Sequence, residues 1–179
     1  MSFPLFASGD VLNASDMNGV GLWLVKTQTV GTGVASVTVT GAFSADYDNY
    51  LITYEGAVVS ASGEAVRLQL GSTTTGYFGN LIYGSFTSPT PAVIGDNNTA
   101  NWTHCAGANN NRTNASINLY NPFRTVPTHV FSYIYADSSN AGTKRGFLNN
   151  STSYTAFTML AGTTGNFTGG TIRVYGYRN

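Results

Sequence analysis

From Trp23 onward, apolar and polar side chains alternate with a period of two. Leu22 to Thr29, Val34 to Thr40, Tyr50 to Glu55, Ala65 to Leu70, Ser116 to Tyr120, His129 to Tyr135, Tyr154 to Leu160 and Thr171 to Tyr177 all follow this pattern. Successive strand side chains point to opposite faces, so the pattern predicts half-buried β-strands. Weaker candidates at Tyr77 to Tyr83, Pro91 to Ile94, Trp102 to Ala106 and Lys144 to Leu148 bring the count near ten or twelve. Gly31-Thr32-Gly33, Gly71 to Gly76 and Gly165 to Gly170 separate the segments with residues that accept turn geometry.

Many short alternating strands predict an all-β fold, an antiparallel jelly-roll-like β-sandwich over residues 22–179. Residues 1–21 differ from the rest. Asp10 to Gly19 can form one or two helical turns, capped by Asp10 or Ser15 and stopped by Gly19, too short to stand alone. This reads either as an arm docking on a partner or as a tail packing on its own domain. The polar stretch from Gly95 to Asn114 reads as an exposed loop system suited to binding.

Charge changes the picture next. Only 9% of the 179 residues are charged, and eight basic residues balance eight acidic ones. Without a basic field there is no counterion release to drive nucleic-acid binding, and an anionic membrane surface is equally disfavoured. The start lacks the basic residues and long apolar run of a secretory signal, and no stretch suits a membrane span, so synthesis and folding in a cytoplasm are expected. A surface of Ser, Thr, Asn and Gly suits an assembly or an extracellular setting. The sequons, such as those at Asn97 and Asn150, then follow from composition.

Candidate chemistry is sparse. Cys105 has no disulfide partner, and His104 and His129 offer no zinc-ligand spacing. His129 could act as base for a Cys105 nucleophile, but a buried structural thiol is the stronger reading, and adjacent strand residues His104 and Cys105 face apart. Asp46-Tyr47-Asp48-Asn49 reads as a turn before a strand, with calcium binding or a glycosidase pair as the sharper alternatives. A glycan-cleaving site would draw on Asp46 or Asp48 with Glu55 or Glu64. Tyrosines beside Asn and Thr can stack on sugar rings or bury against another subunit. The surface or glycan contacts expected on this ground are Tyr77, Phe78, Tyr83 and Trp102, with Asn109 and Asn110 from the polar stretch.

The segment Phe6-Ala7-Ser8-Gly9-Asp10-Val11-Leu12-Asn13-Ala14-Ser15-Asp16-Met17-Asn18 resembles one that precedes the distal β-domains of tailed-bacteriophage tail fibres and other virion appendage proteins. Gly41-Ala42-Phe43-Ser44 with Tyr47-Asp48-Asn49-Tyr50, Leu68-Gln69-Leu70-Gly71, Tyr120-Asn121-Pro122 and the closing Gly169 to Arg178 are similar to the jelly-roll domain of that group. The resemblance implies a non-enzymatic viral structural protein, a homotrimer on the virion surface, with no cofactor and no catalytic motif. Phe6, Val11, Leu12 and Met17 would then anchor it to other virion proteins through residues 1–21. Host attachment as a tail-fibre or receptor-binding protein, through a host surface glycan, is the first expectation. Capsid decoration is the second and a glycan depolymerase the third. The chain departs from a typical fibre in having no long shaft, collagen-like repeat or coiled coil.

Overall fold

A computed structural model describes residues 21–59, 65–87, 90–108, 113–136 and 140–177. The expected helical turns, the anchor residues Phe6, Val11, Leu12 and Met17, and Asn109, Asn110 and Glu64 lie outside them. The described chain forms thirteen strands, with no helix among the described residues. They are β1 (Leu22–Thr29), β2 (Thr32–Val34), β3 (Ser36–Val39), β4 (Asn49–Val59), β5 (Ala65–Leu70), β6 (Tyr77–Ser85), β7 (Ala92–Thr99), β8 (Trp102–Gly107), β9 (Thr113–Tyr120), β10 (Thr128–Ala136), β11 (Asn140–Leu148), β12 (Phe157–Leu160) and β13 (Asn166–Tyr177).

All pairings are antiparallel and divide between two sheets. The large sheet runs β1-β13-β4-β9-β10-β11-β6-β7 with β2 beside β13, and the small one runs β3-β12-β5-β8. Four nested pairs organise them: β1 with β13, β3 with β12, β4 with β9 and β5 with β8. First-with-last pairing, alternately in one sheet and the other, is the winding of a jelly roll. The expected fold class is therefore observed. Two hairpins are added to it. β6-β7 interrupts the connection from β5 to β8, β10-β11 interrupts that from β9 to β12, and the two pair through β6 and β11. They extend the large sheet beyond β9.

The core lies between the sheets. From the large sheet it takes Tyr50, Ile52 and Tyr54 of β4, Ile117 and Leu119 of β9, and Ile172 and Val174 of β13; the small sheet adds Leu68, Leu70, Phe157 and Met159. The buried tyrosine hydroxyls of the core are satisfied. Tyr50 Oη donates to Ser44 O at 2.9 Å and accepts from Ser44 N at 2.8 Å, and Tyr54 Oη donates to Gly169 O at 2.9 Å. These bonds fix the turn before β4 and the bulged start of β13 to the core.

Several expected boundaries shift. The predicted strand Val34 to Thr40 is two strands, because the chain passes at Ala35 from the large sheet into the small one. The polar stretch from Gly95 is not a continuous loop: Gly95 to Thr99 completes β7, Trp102 to Gly107 is β8, and Thr113 and Asn114 begin β9. Asparagine lowers strand propensity only weakly, and cross-strand pairing overrides it here. Tyr154, expected within a strand, precedes β12 and bonds Thr73 and Asn150 through its hydroxyl.

Candidate functional site

The added hairpins expose an unusual face. Strand register arranges the outward side chains of the large sheet in rows that cross it. One row runs Tyr120, His129, Phe147, Phe78, from β9 through β10 and β11 to β6. The next runs Leu24, Tyr175, Leu51, Asn118, Phe131, Arg145, Asn80, Gly95 and crosses the whole sheet. A third passes through Arg173, Thr53, Ser116, Tyr133, Thr143, Ile82 and Val93.

Aromatic side chains on these rows touch. Phe78 and Phe147 stack with centroids 5.4 Å apart and planes at 16°, and His129 lies 6.3 Å from Phe147. Phe131 meets Tyr133 edge to face at 5.1 Å. The Arg145 guanidinium sits over the Phe131 ring at 5.5 Å, within cation–π range. Between the first two rows lies a cleft of about 670 Å³, bordered by Asn80, Tyr120, His129, Phe131, Arg145 and Phe147. Tyr133 is 60% exposed, Val93 67% and Ile82 51%, so the apolar character continues past the cleft. An apolar face of this kind, rimmed by polar groups, marks an interaction surface.

The inner side of the same extension is polar and closed. Lys144 of β11 and Asp96 of β7 pair at 2.5 Å with both side chains fully buried. Thr103 completes the carboxylate's shell, donating from its backbone N at 3.2 Å and from Oγ1 at 2.5 Å. A bulge makes this possible. Between the pairs Val66–Ala106 and Leu68–Trp102, β8 carries two more residues than β5, and His104 adopts φ +56°. The bulge breaks the expected alternation, so Trp102 and Cys105 both enter the core while Thr103 turns to Asp96.

Of the expected contacts, Phe78 lies on the outer aromatic row, and Tyr83 is half-buried on the same side of β6 as Leu81. Tyr77 and Trp102 are corrections. Both are fully buried, with Tyr77 Oη accepting from Leu70 N at 2.7 Å and Trp102 Nε1 donating to Phe78 O at 3.3 Å. Polar loops flank them in sequence, but Tyr77 faces inward from β6 and meets Trp102 of β8 edge to face at 5.0 Å between the sheets. Cys105 is fully enclosed and its thiol is pushed up to about 12 by burial. His129 stands on the outer face, across the sheet from it.

Asp46 accepts a hydrogen bond from Ser44 Oγ at 2.9 Å, and Asp48 pairs with Arg124 at 2.5 Å. Both therefore serve the turn before β4. Glu55 lies seven positions from Asp48 along an extended chain, roughly 20 Å away at strand rise, beyond the separation of a glycosidase carboxyl pair. No group of three or more His, Cys, Asp or Glu side chains among the described residues could hold a metal ion. No helix among the described residues is long and apolar enough to cross a membrane.

Sequence reasoning missed Tyr120, His129, Phe131, Arg145 and Phe147. A signal was present: in Thr128 to Ala136, aromatic residues and His129 share one parity and Val130 and Ile134 the other. Either parity could have faced the core. The fold is a jelly-roll-like β-sandwich, and the outer face of its large sheet carries exposed aromatic side chains. Compared with protein-family models and with curated proteins, the sequence matches none.

Proposed function

We propose that this chain is a structural protein of a tailed-phage virion that attaches to the host through the outer face of its extended sheet. The supporting observation is the row Tyr120, His129, Phe147, Phe78 beside Phe131 and Arg145, an exposed aromatic platform on rigid strands. Aromatic faces stack on the apolar faces of sugar rings, and polar neighbours bind the hydroxyls. Residues 1–21 join the protein to the particle. It works without catalysis, consistent with carboxylates of the Asp46–Asp48 turn that are engaged in local bonds.

A second apolar patch supports a homotrimer. On edge strand β1, Leu22 is 46% exposed, Trp23 36% and Leu24 55%, so both faces of the strand are open. Such an edge is stabilised when covered by a symmetry mate. The same patch favours capsid decoration as the second reading, since packing into a fixed array would cover it.

Binding of the purified protein to envelope from the host bacterium tests the attachment reading. Wild type should be retained, and the Phe78→Ala/Phe147→Ala double variant should not. Particles lacking the protein that adsorb normally would overturn attachment, and density on capsid facets would favour decoration.

A further inference from the structure

The cleft on the outer face carries more chemistry than a generic sugar platform. Among the described residues its border includes one guanidinium, Arg145, one imidazole, His129, and no carboxylate. Among the described residues, the carboxylates lie away from Arg145. Asp96 is sealed on the opposite face of the sheet by Lys144, and Asp48 is held by Arg124. Glu55 stands opposite Asn114 and Thr171 in strand register, a row beyond Ser116 and Thr53. A chain of zero net charge thus presents a locally cationic hollow.

Arg145 is exposed and supported from below by the Phe131 ring, so its planar fork is held beside an aromatic floor. Asn80 lies opposite it on β6, and His129 and Phe147 face each other in the adjoining row. We propose that this cleft binds a carboxylated saccharide, a pyranose of uronic-acid type whose ring stacks on the aromatic floor and whose carboxylate meets Arg145. This rests on the attachment reading and names the ligand class of that face. One guanidinium matches one carboxylate bidentately. A phosphate-rich polymer is bound instead by several cations along a track, and this face has one arginine within the cleft.

An array of bacterial surface polysaccharides provides the test, with uronic-acid-bearing, neutral and phosphate-bearing polymers immobilised side by side. The uronic-acid polymers should give the signal, and carboxyl reduction of the same polymers should weaken it about tenfold or more. Arg145→Met should lower binding of the carboxylated polymers to the level of their reduced forms, whereas Phe147→Ala should weaken both. Near-UV circular dichroism checks that each variant is folded. Equal binding of neutral or phosphate-bearing polymers, no binding of any carboxylated one, or indifference to Arg145→Met would overturn the inference. Host-envelope binding that is lost with Phe147→Ala but indifferent to carboxyl reduction would sink this ligand class and leave attachment standing. Absence of envelope binding would remove both.

Discussion

Lys144 Nζ lies 2.5 Å from Asp96 Oδ2, and neither side chain reaches solvent. The residues belong to β11 and β7, with β6 between them, so the pair ties together two hairpins inserted at different points of the jelly roll. Lys144 sits opposite Leu81 and Asp96 opposite Gly79, and the ammonium crosses β6 where no side chain obstructs it. Breaking such a pair leaves a charge buried without its partner, which costs more than the pair itself contributes.

Lys144→Met alone is therefore expected to destabilise the domain by about 3–5 kcal/mol. Adding Asp96→Leu should recover most of that loss, because apolar replacements of both partners are often neutral. Urea unfolding of the two single variants and the double variant measures the coupling. Additive losses would mean that the two residues act independently.

Gly146 and Gly84 make a matched pair of opposite expectation. A Cβ on Gly146 would collide with Phe78 O and lie 3.0 Å from Trp102 Nε1, whereas one on Gly84 meets nothing within 4 Å. Gly146→Ala should cost about 1–3 kcal/mol by overpacking. Gly84→Ala should stay within about 1 kcal/mol of wild type, on the stabilising side. Melting temperatures by calorimetry distinguish them, and equal shifts would contradict the close approach of Trp102 to the sheet.

The buried tyrosines make stability fall in alkali. Burial raises the phenols of Tyr50, Tyr54 and Tyr77, that of Tyr54 to about 12 and that of Tyr77 further. The folded state thus keeps protons that the unfolded state releases above pH 10, so stability is present below pH 10 and is lost as pH rises through the folded values. Unfolding free energies at pH 9, 10 and 11 should decline, and absorbance at 295 nm should show the core tyrosines ionising only with unfolding. A flat profile would mean that these phenols are not buried.

Cys105 should be inert in the folded protein. Its thiol is enclosed and pushed up to about 12 by burial, so the reactive thiolate is absent at neutral pH. Ellman's reagent at pH 8 should label the protein only after denaturant is added. Rapid native labelling would contradict the bulged path of β8.

Removing the apolar edge of β1 should dissociate the proposed trimer. Leu24→Asp places a charge on that edge, at a position 55% exposed in the single chain, so the monomer keeps its fold. Light scattering should report a trimer for wild type and a monomer for the variant. A monomeric wild type at micromolar concentration would overturn trimerisation.

The strands themselves were legible. β1 and β5 run over the residues that alternation predicts, Leu22–Thr29 and Ala65–Leu70; β5 does so because one of its faces lies on the core, whereas β1 is held at the sheet edge by pairing with β13. Alternation says nothing about which parity faces inward when both are apolar. In β10 the outward set His129, Phe131, Tyr133 is as aromatic as a core. The opposite error arose at Tyr77 and Trp102, where neighbouring loop residues suggested exposure and strands distant in sequence supplied the cover.

By itself, the sequence determined an all-β domain, most strand positions, a thiol without an internal partner and a surface low in charge, since each follows from local periodicity or from composition. The nested pairing, the joining of two inserted hairpins through β6 and β11, the Lys144–Asp96 pair and the aromatic rows were decided only by tertiary structure. The physical reason is that strand pairing is nonlocal: register between segments far apart in the chain sets which side chains become neighbours, and packing against the second sheet decides which face they share.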